Sequence, residues 1–336
     1  MDIAVVILNW NGKHFMQKYL PILVSNTADV PGAFIVVADN GSDDGSVEWL
    51  ETGCPEVQLV KFDRNYGFAE GYNKALEVID ADYYVLLNSD VEVPAGWLQP
   101  LVSFMEEHPD VGICQPKILS EADHSRFEYA GAAGGYIDSL GYPFCRGRIL
   151  SNLEVDKGQY DEPVECFWAT GACLMTRAAL YHHLGGLDAS FWAHMEEIDM
   201  CWRAKLLGYE VWCIPQSKVY HVGGGMLPND SPKKLFLNYR NNLFMLYKNL
   251  PSSIRENVLR RRIFLDDLSA IVYLLTGHKA NWKAVKDAHR EFAERKEDME
   301  VSPFSESRND KGLYEGSIVF KFFLSGKKLT FDKLKF

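Results

Sequence analysis

The chain has 336 residues, 47% of them apolar, and a formal net charge of −11. That length suits one large domain with an appendage, or two small domains, around a sizeable core. The acidic balance excludes general nucleic-acid binding, which needs a basic surface against phosphates.

The first third alternates short β-rich runs with amphipathic stretches. Strands are predicted at 3–8, 34–38, 57–61 and 83–87, and helices near 13–24, 44–51 and 69–79. Such alternation points to βαβ units and a mostly parallel sheet, whose ligands bind beyond the carboxyl ends of the strands. All four strand ends carry polar or Gly-rich text: Asn9-Trp10-Asn11-Gly12, then Asp39 to Ser46, then Asp63 to Phe68, then Asn88-Ser89-Asp90. Each is an ordinary turn composition taken alone. Four at one sheet edge predict a shared ligand site.

From 110 to 222 the pattern is more irregular. Tyr129–Tyr142 reads as hairpins or an acceptor-side loop, and Trp168–Thr176 as a buried segment. A helix is expected near Met195–Leu207, with strands at 210–213 and 218–221. Residues 231–297 read as amphipathic helices, and the tail from about 300 is weakly specified. The charge shifts with this change: residues 1–230 are acidic, whereas 233–262 and 311–336 carry clusters such as Arg260-Arg261-Arg262 and Lys327-Lys328. These are either solvated helix faces or a surface facing anionic lipid.

No basic, cleavable leader is read before Ile3, and no run reaches the roughly 18–20 apolar residues of a spanning helix. The best, Ile263–Thr276, is broken by Asp266-Asp267. Basic residues before this apolar helix form the pattern of a membrane-surface anchor, the alternatives being a helix packed on the catalytic domain or on a dimer partner. The seven cysteines lack CxxC spacing, which suggests free thiols in a reducing cytoplasm.

A nucleotide diphosphate would find partners at the sheet edge. Asp39 can accept from a pyrimidine N–H, and Asn11 and Arg64 can reach base, ribose or phosphate. A carboxylate at Asp90 can hold a hard divalent cation that shares oxygen ligands with phosphates. The bland readings are a helix cap at Asp39 or Ser42 and a turn at Asp90.

The chain resembles the family 2 glycosyltransferases of the GT-A fold, in particular the bacterial rhamnosyltransferase-like branch. The matching pieces run in order: Val5 to Gly12, Val37 to Ser46, Asn65 to Asn73, Leu86 to Asp90, Thr170 to Met175, Gly185 to Asp188, Met195 to Arg203, and His221 to Gly224. The resemblance implies an α/β nucleotide-diphospho-sugar transferase fold. A mostly parallel mixed sheet would be flanked by helices, with a catalytic domain at 1–230 (nucleotide half 1–110, acceptor half 111–230) and a helical extension at 231–336. It implies inverting transfer from a UDP- or dTDP-sugar to a glycan or lipid-linked hydroxyl, in surface polysaccharide synthesis, with magnesium or manganese. The protein would be cytoplasmic, in peripheral contact with the inner membrane face. Asn9, Asn11, Asp39, Asn40, Arg64, Asn73, Asn88 and Ser89 would line the nucleotide pocket. Asp90 and His221 would hold the metal, with Asn88 departing from the family's leading aspartate. Glu197 matches the base position, usually aspartate; Glu196 adjoins it and Asp199 is the alternative. Gly171 and Ala172 would meet the donor sugar, and Trp168 and Trp192 would stack on sugars. A sugar nucleotidyltransferase and a non-catalytic sugar-nucleotide or glycan binder are the rival readings.

Overall fold

The structure is a computed structural model that describes residues 1–223, 231–307, 311–325 and 329–336. The first third follows the expected alternation: β1 (Ile3–Asn9), α1 (Lys13–Thr27), β2 (Ala33–Asp39), α2 (Ser46–Gly53), β3 (Gln58–Lys61), α3 (Phe68–Leu76), β4 (Tyr83–Leu87), β5 (Val91–Glu92) and α4 (Gln99–Glu107). Next come the long β6 (Val111–Ser120) and four short strands: β7 (Gly135–Asp138), β8 (Pro143–Cys145), β9 (Arg148–Ile149) and β10 (Asn152–Leu153). They are followed by β11 (Val164–Cys166), β12 (Cys173–Arg177), α5 (Ala178–His183), α6 (Glu196–Leu206) and β13 (Glu210–His221). The C-terminal third holds α7 (Pro232–Asn249), α8 (Ser252–Leu275), α9 (Lys279–Arg295), β14 (Leu313–Tyr314) and α10 (Ile318–Ser325).

The main sheet runs β11-β13-β6-β12-β4-β1-β2-β3, with β5 paired to β13. β4, β1, β2 and β3 are parallel, while β12 inserts antiparallel between β4 and β6. β1 is buried on both faces, as its unbroken apolar run requires of a central parallel strand. Ala4, Val6 and Leu8 face the layer that holds α3 and α6. Ile3, Val5 and Ile7 face the layer of α1 and α4. The sheet is thus covered by helices on both sides, and Asn9, Asp39 and Leu87 end their strands at one edge.

Two differences from the sequence reading have local causes. The strands expected at 210–213 and 218–221 are one strand, β13, whose register on β6 shifts between Ile214 and Lys218. Pro215, which lacks a ladder N–H, sits inside that irregularity. The tail is also more ordered than its composition suggests. β14 joins the small sheet of β7 to β10, and Phe331 and Phe336 pack on Tyr136 and Phe144. A two-residue strand carries too little pattern to be read in advance.

The basic triplet does not act as one patch. Arg262 is buried, paired with Asp266 at 2.8 Å, and also donates to the Leu140 carbonyl. Lys327-Lys328 and Gly224-Gly225 lie outside the described residues. All seven cysteines are buried and free.

Candidate active site

The edge formed by the ends of β1 and β2 is a closed polar network. Asn9 Nδ2 donates to Asp39 Oδ2 at 2.9 Å and to Ser42 Oγ at 3.2 Å, and Ser42 N donates to Asp39 Oδ1 at 2.9 Å. Asn11, with a φ of 51°, accepts from Asp43 N at 2.9 Å while its own N–H donates to Ser42 Oγ. Both loops are therefore locked to each other before any ligand arrives. Asn9 Oδ1 is buried without a partner and faces Gly12, where a Cβ would approach it to 2.6 Å. Asn40 clamps the neighbouring loop. It donates to the Gly67 carbonyl at 2.9 Å and accepts from Tyr66 N at 3.0 Å. Arg64 is exposed on that loop, its guanidinium 4.8 Å from the Tyr66 ring.

Asn73 is placed elsewhere. Its amide donates to the Leu187 carbonyl at 2.7 Å, and its oxygen accepts from Tyr181 and from Leu187 N. The nucleotide role expected of it is corrected to that of a clamp tying α3 to the Gly186–Leu187 turn.

The end of β4 meets the start of β12. Asn88 N donates to the Ala172 carbonyl at 3.0 Å, which sets Gly171-Ala172 beside Asn88-Ser89-Asp90. Ser89 Oγ would lie 3.3 Å from a Cβ on Gly12, so Ser89 also faces the β1 loop. A Cβ on Gly171 would stand 3.3 Å from the Phe68 ring and 3.9 Å from Glu197 Cβ. Glycine there lets the Phe68 ring pack close to the backbone next to a carboxylate.

Asp90 is buried. His221, held opposite by the pairing of β13 with β5, places Nε2 3.2 Å from Asp90 Oδ1. Its Nδ1 lies 3.4 Å from Glu128 Oε2 without hydrogen-bond alignment. Burial opposes a charge on this ring, but Asp90 and Glu128 outweigh it and push the imidazole up to about 10. Glu128 was not anticipated from the sequence; its only local signal is an acidic residue just ahead of the Gly-rich stretch. A ring nitrogen against one carboxylate, with the other nitrogen facing a second, fits a metal-binding histidine oriented from behind. Among the described residues no group of three or more His, Cys, Asp or Glu side chains is placed to hold a metal ion. Gly223, with a φ of 72°, leaves room for Glu128, whose Oε1 would lie 2.5 Å from an added Cβ.

The segment ahead of α6 is strained. Trp192, His194 and Met195 have φ values of 64°, 71° and 74°, a region that costs a non-glycine residue about 1–3 kcal/mol. It is held from outside. Asn241 on α7 donates to the carbonyls of Phe191, Ala193 and His194 at 2.7–2.9 Å, and Arg240 donates to those of Ser190 and Phe191. The Trp192 carbonyl in turn accepts from Phe68 N and Ala69 N at the start of α3.

What this strain presents is a set of buried polar atoms without partners: His194 Nε2, Glu196 Oε2 and Glu197 Oε2. Such groups need a functional explanation. Burial, then the Glu197 charge, raises the Glu196 carboxyl well above its ordinary value. Burial also raises Glu197, while backbone N–H groups, that of Gly171 among them, partly offset it. His194 is pushed down to about 4 by burial and by Lys234, so its ring is neutral at ordinary pH.

Two expectations are corrected. Asp199 is fully buried, its oxygens engaged by Arg203 at 2.7 Å, Asn249 at 2.7 Å and Lys248 at 3.5 Å, which leaves it a structural anchor rather than a base. Trp168 is a core residue. Its indole N–H donates to the Tyr136 carbonyl and its ring fills the space over Gly135, so it has no face for a sugar. Arg240 is paired with Glu291 and donates to the Ser190 and Phe191 carbonyls. Trp192 remains half-buried, with Lys233 Nζ 4.1 Å from its ring centre.

Comparison with known sequences places this edge in context. The pattern of Glycosyl transferase family 2 matches residues 5–183. The chain belongs to that family. Among curated relatives of this family 2 glycosyltransferase is the N-acetylglucosaminyl-diphospho-decaprenol L-rhamnosyltransferase of Mycobacterium tuberculosis. It is 23% identical over 261 residues, covering 73% of this chain and 83% of the relative. A low-salt glycan biosynthesis hexosyltransferase of Haloferax volcanii is 22% identical, covering 71% and 74%. In fold, the glycosyltransferase resembles S. aureus TarS 1–349 in complex with UDP-GlcNAc, with a TM-score of 0.57, 14% identity, and 89% and 84% of the two chains covered. GalNAc-T7 with UDP, GalNAc and Mn2+ gives a TM-score of 0.57 at 16% identity, covering 90% of this chain and 58% of that one. The GT-A fold and the rhamnosyltransferase-like kinship expected from the sequence are both borne out.

Proposed function

We propose that this family 2 glycosyltransferase is an inverting, metal-dependent enzyme that moves a hexose from a UDP- or dTDP-sugar to a hydroxyl of a lipid-linked glycan at the inner face of the cytoplasmic membrane. The observation that carries this reading is the pair of carboxylates Glu196 and Glu197, each with a buried Oε2 that has no partner, on a strained turn beside Gly171. Direct inversion needs a base that takes the acceptor proton as the hydroxyl oxygen attacks the anomeric carbon. Glu197 suits this role: burial raises its proton affinity, and the neighbouring Gly171 adds no side chain beside it. Burial and the Glu197 charge raise the proton affinity of Glu196 as well. His194, neutral and unpartnered, is available to a sugar hydroxyl.

Asp90 and His221 would hold magnesium or manganese, and Glu128 would fix the His221 ring. The remaining ligand positions would be filled by diphosphate oxygens, as hard cations bound by few carboxylates prefer. When bound, such a cation neutralises the charge that develops on the leaving diphosphate. Asn9, Asn11, Asp39 and Arg64 support nucleotide binding from the adjoining loops, with Asn40 keeping the Asn65–Gly67 turn in place. The lipid-linked acceptor is favoured by the activity in the name of the mycobacterial relative.

A thermal-shift screen of UDP-, dTDP- and GDP-sugars with and without manganese tests this. A ligand at a hundred times its Kd stabilises by about 2.7 kcal/mol. One nucleotide class should raise the melting temperature in a manganese-dependent way, and Asp90→Ala should abolish the manganese increment. No shift with any of the three classes would overturn the proposal.

A further inference from the structure

Helix α8 has two unlike sides. Its inner side is buried through Val258, Leu259, Arg262, Asp266 and Ala270. Its outer side exposes Phe264, Leu268, Ile271, Val272, Leu274 and Leu275, with Phe264 61% and Leu275 81% exposed. Phe264, Leu268, Ile271 and Leu275 follow the i, i+4, i+7, i+11 spacing of one helix face, so they form a stripe rather than scattered exceptions. A continuous apolar stripe of this kind marks an interaction surface.

The ends of the stripe are basic. Arg260 and Arg261 lie exposed one turn before Phe264, and Lys279 lies just past Leu275, next to the half-exposed Trp282. None of these three cations forms an ion pair among the described residues. The acidic residue along the stripe, Asp267, is neutralised by Lys286 at 3.0 Å.

A second apolar element springs from the same place. Ile318 N, at the start of α10, donates to Asp138 Oδ2 at 2.9 Å, and α10 then exposes Phe320, Phe323 and Leu324. On the other side of this β7–β8 hairpin, Tyr142 donates to Asp266 and Arg262 to the Leu140 carbonyl, which anchors α8. One tight turn therefore carries both exposed helices.

We propose that the outer face of α8, together with α10, is a docking surface for an anionic lipid bilayer. The charge arrangement selects this occupant over a second copy of the chain. Two copies packed through the stripe would set cations against cations whether the helices ran parallel or antiparallel. An anionic surface meets both basic ends at once, while the apolar residues enter the headgroup boundary. This is notable in a chain whose net charge of −11 would otherwise repel such a surface. The proposal rests on the lipid-linked-acceptor reading for its purpose, but not for its test, which uses neither donor nor acceptor.

The test is co-sedimentation of the full chain with phosphatidylglycerol–phosphatidylcholine vesicles against pure phosphatidylcholine vesicles, at low and high salt. Wild-type protein should bind the anionic vesicles at least tenfold more strongly, and lose that preference at high salt. The triple variant L268S/I271S/L275S and the double variant R260E/R261E should each weaken binding at least tenfold with an unchanged melting temperature, because all five side chains are exposed. Absence of wild-type binding at low salt would overturn the proposal. So would equal binding by the variants. A concentration-dependent dimer in light scattering that the triple variant abolishes would also overturn it, assigning the face to self-association. Loss of vesicle binding with transfer to a soluble acceptor intact would separate this surface from the catalytic reading.

Discussion

Replacing Glu197 by glutamine removes a charge while keeping the shape, and its effects on stability and on transfer should have opposite signs. In the folded chain Glu197 Oε2 is buried without a partner, and burial raises the carboxyl above its ordinary value. A carboxyl raised in this way binds more protons folded than unfolded between the two pKa values. The parent protein therefore loses stability as pH rises from the unfolded value to the folded one. Glutamine has no such dependence. Each unit of elevation corresponds to about 1.4 kcal/mol, and about 1 kcal/mol moves the melting temperature by a few degrees in a domain of this size. Glu196, relieved of its neighbour's charge, contributes in the same direction. Glu197→Gln should therefore melt a few degrees above the parent at about pH 8 and level with it near pH 4. Transfer should fall by about 10²–10⁴, the usual contribution of a general base. Calorimetry at the two pH values, paired with nucleotide release from the donor found by the thermal-shift screen, reads both. A variant that is less stable than the parent at high pH, or that retains turnover, would refute the reasoning.

Two further substitutions probe the scaffold. Asn241→Ala removes the donor to the Ala193 and His194 carbonyls of the strained segment, while the Phe191 carbonyl keeps Arg240; each carbonyl left unsatisfied costs about 1–3 kcal/mol, so a loss of roughly 2 kcal/mol or more is expected in denaturant titration, with nucleotide binding retained and transfer lost. Arg262→Ala leaves Asp266 buried without its main cation and should cost about 3–5 kcal/mol, whereas R262M/D266L should restore most of it; a cost under about 1 kcal/mol for the single change would show the pair to be dispensable.

The sheet edge was legible because parallel strands gather their carboxyl ends, so short motifs far apart in sequence announce one place. Asn9, Asn11, Asp39, Asn88 and Asp90 were expected together for that reason, and His221 from the family resemblance. What escaped was set by long-range partners. Nothing near Glu128 says that its carboxylate faces His221, and nothing in Asn238 to Asn242 says that Asn241 will grip a loop about fifty residues earlier. The errors share this origin. Asn73 and Asp199 sit inside family motifs, but Asn73 meets Tyr181 and Leu187 and Asp199 meets Asn249, which no spacing rule connects; the Asp199–Arg203 pair alone, at i and i+4, was open to a sequence reading. Trp168 looked available because aromatic residues serve both sugars and cores, and only Gly135 beneath it shows which.

Helix α7 also alters how the C-terminal third is to be regarded. Asn241 grips the segment that leads into Glu196 and Glu197. Its neighbour Asn242 donates to the Gly141 carbonyl and accepts from Arg262 of α8, and Asn249 at the far end holds Asp199. A boundary drawn at residue 230 separates the Glu196 and Glu197 carboxylates from the groups that keep them in place. The appended helices thus hold the turn that bears the proposed base, and exchanging them between relatives would reshape that turn along with the surface.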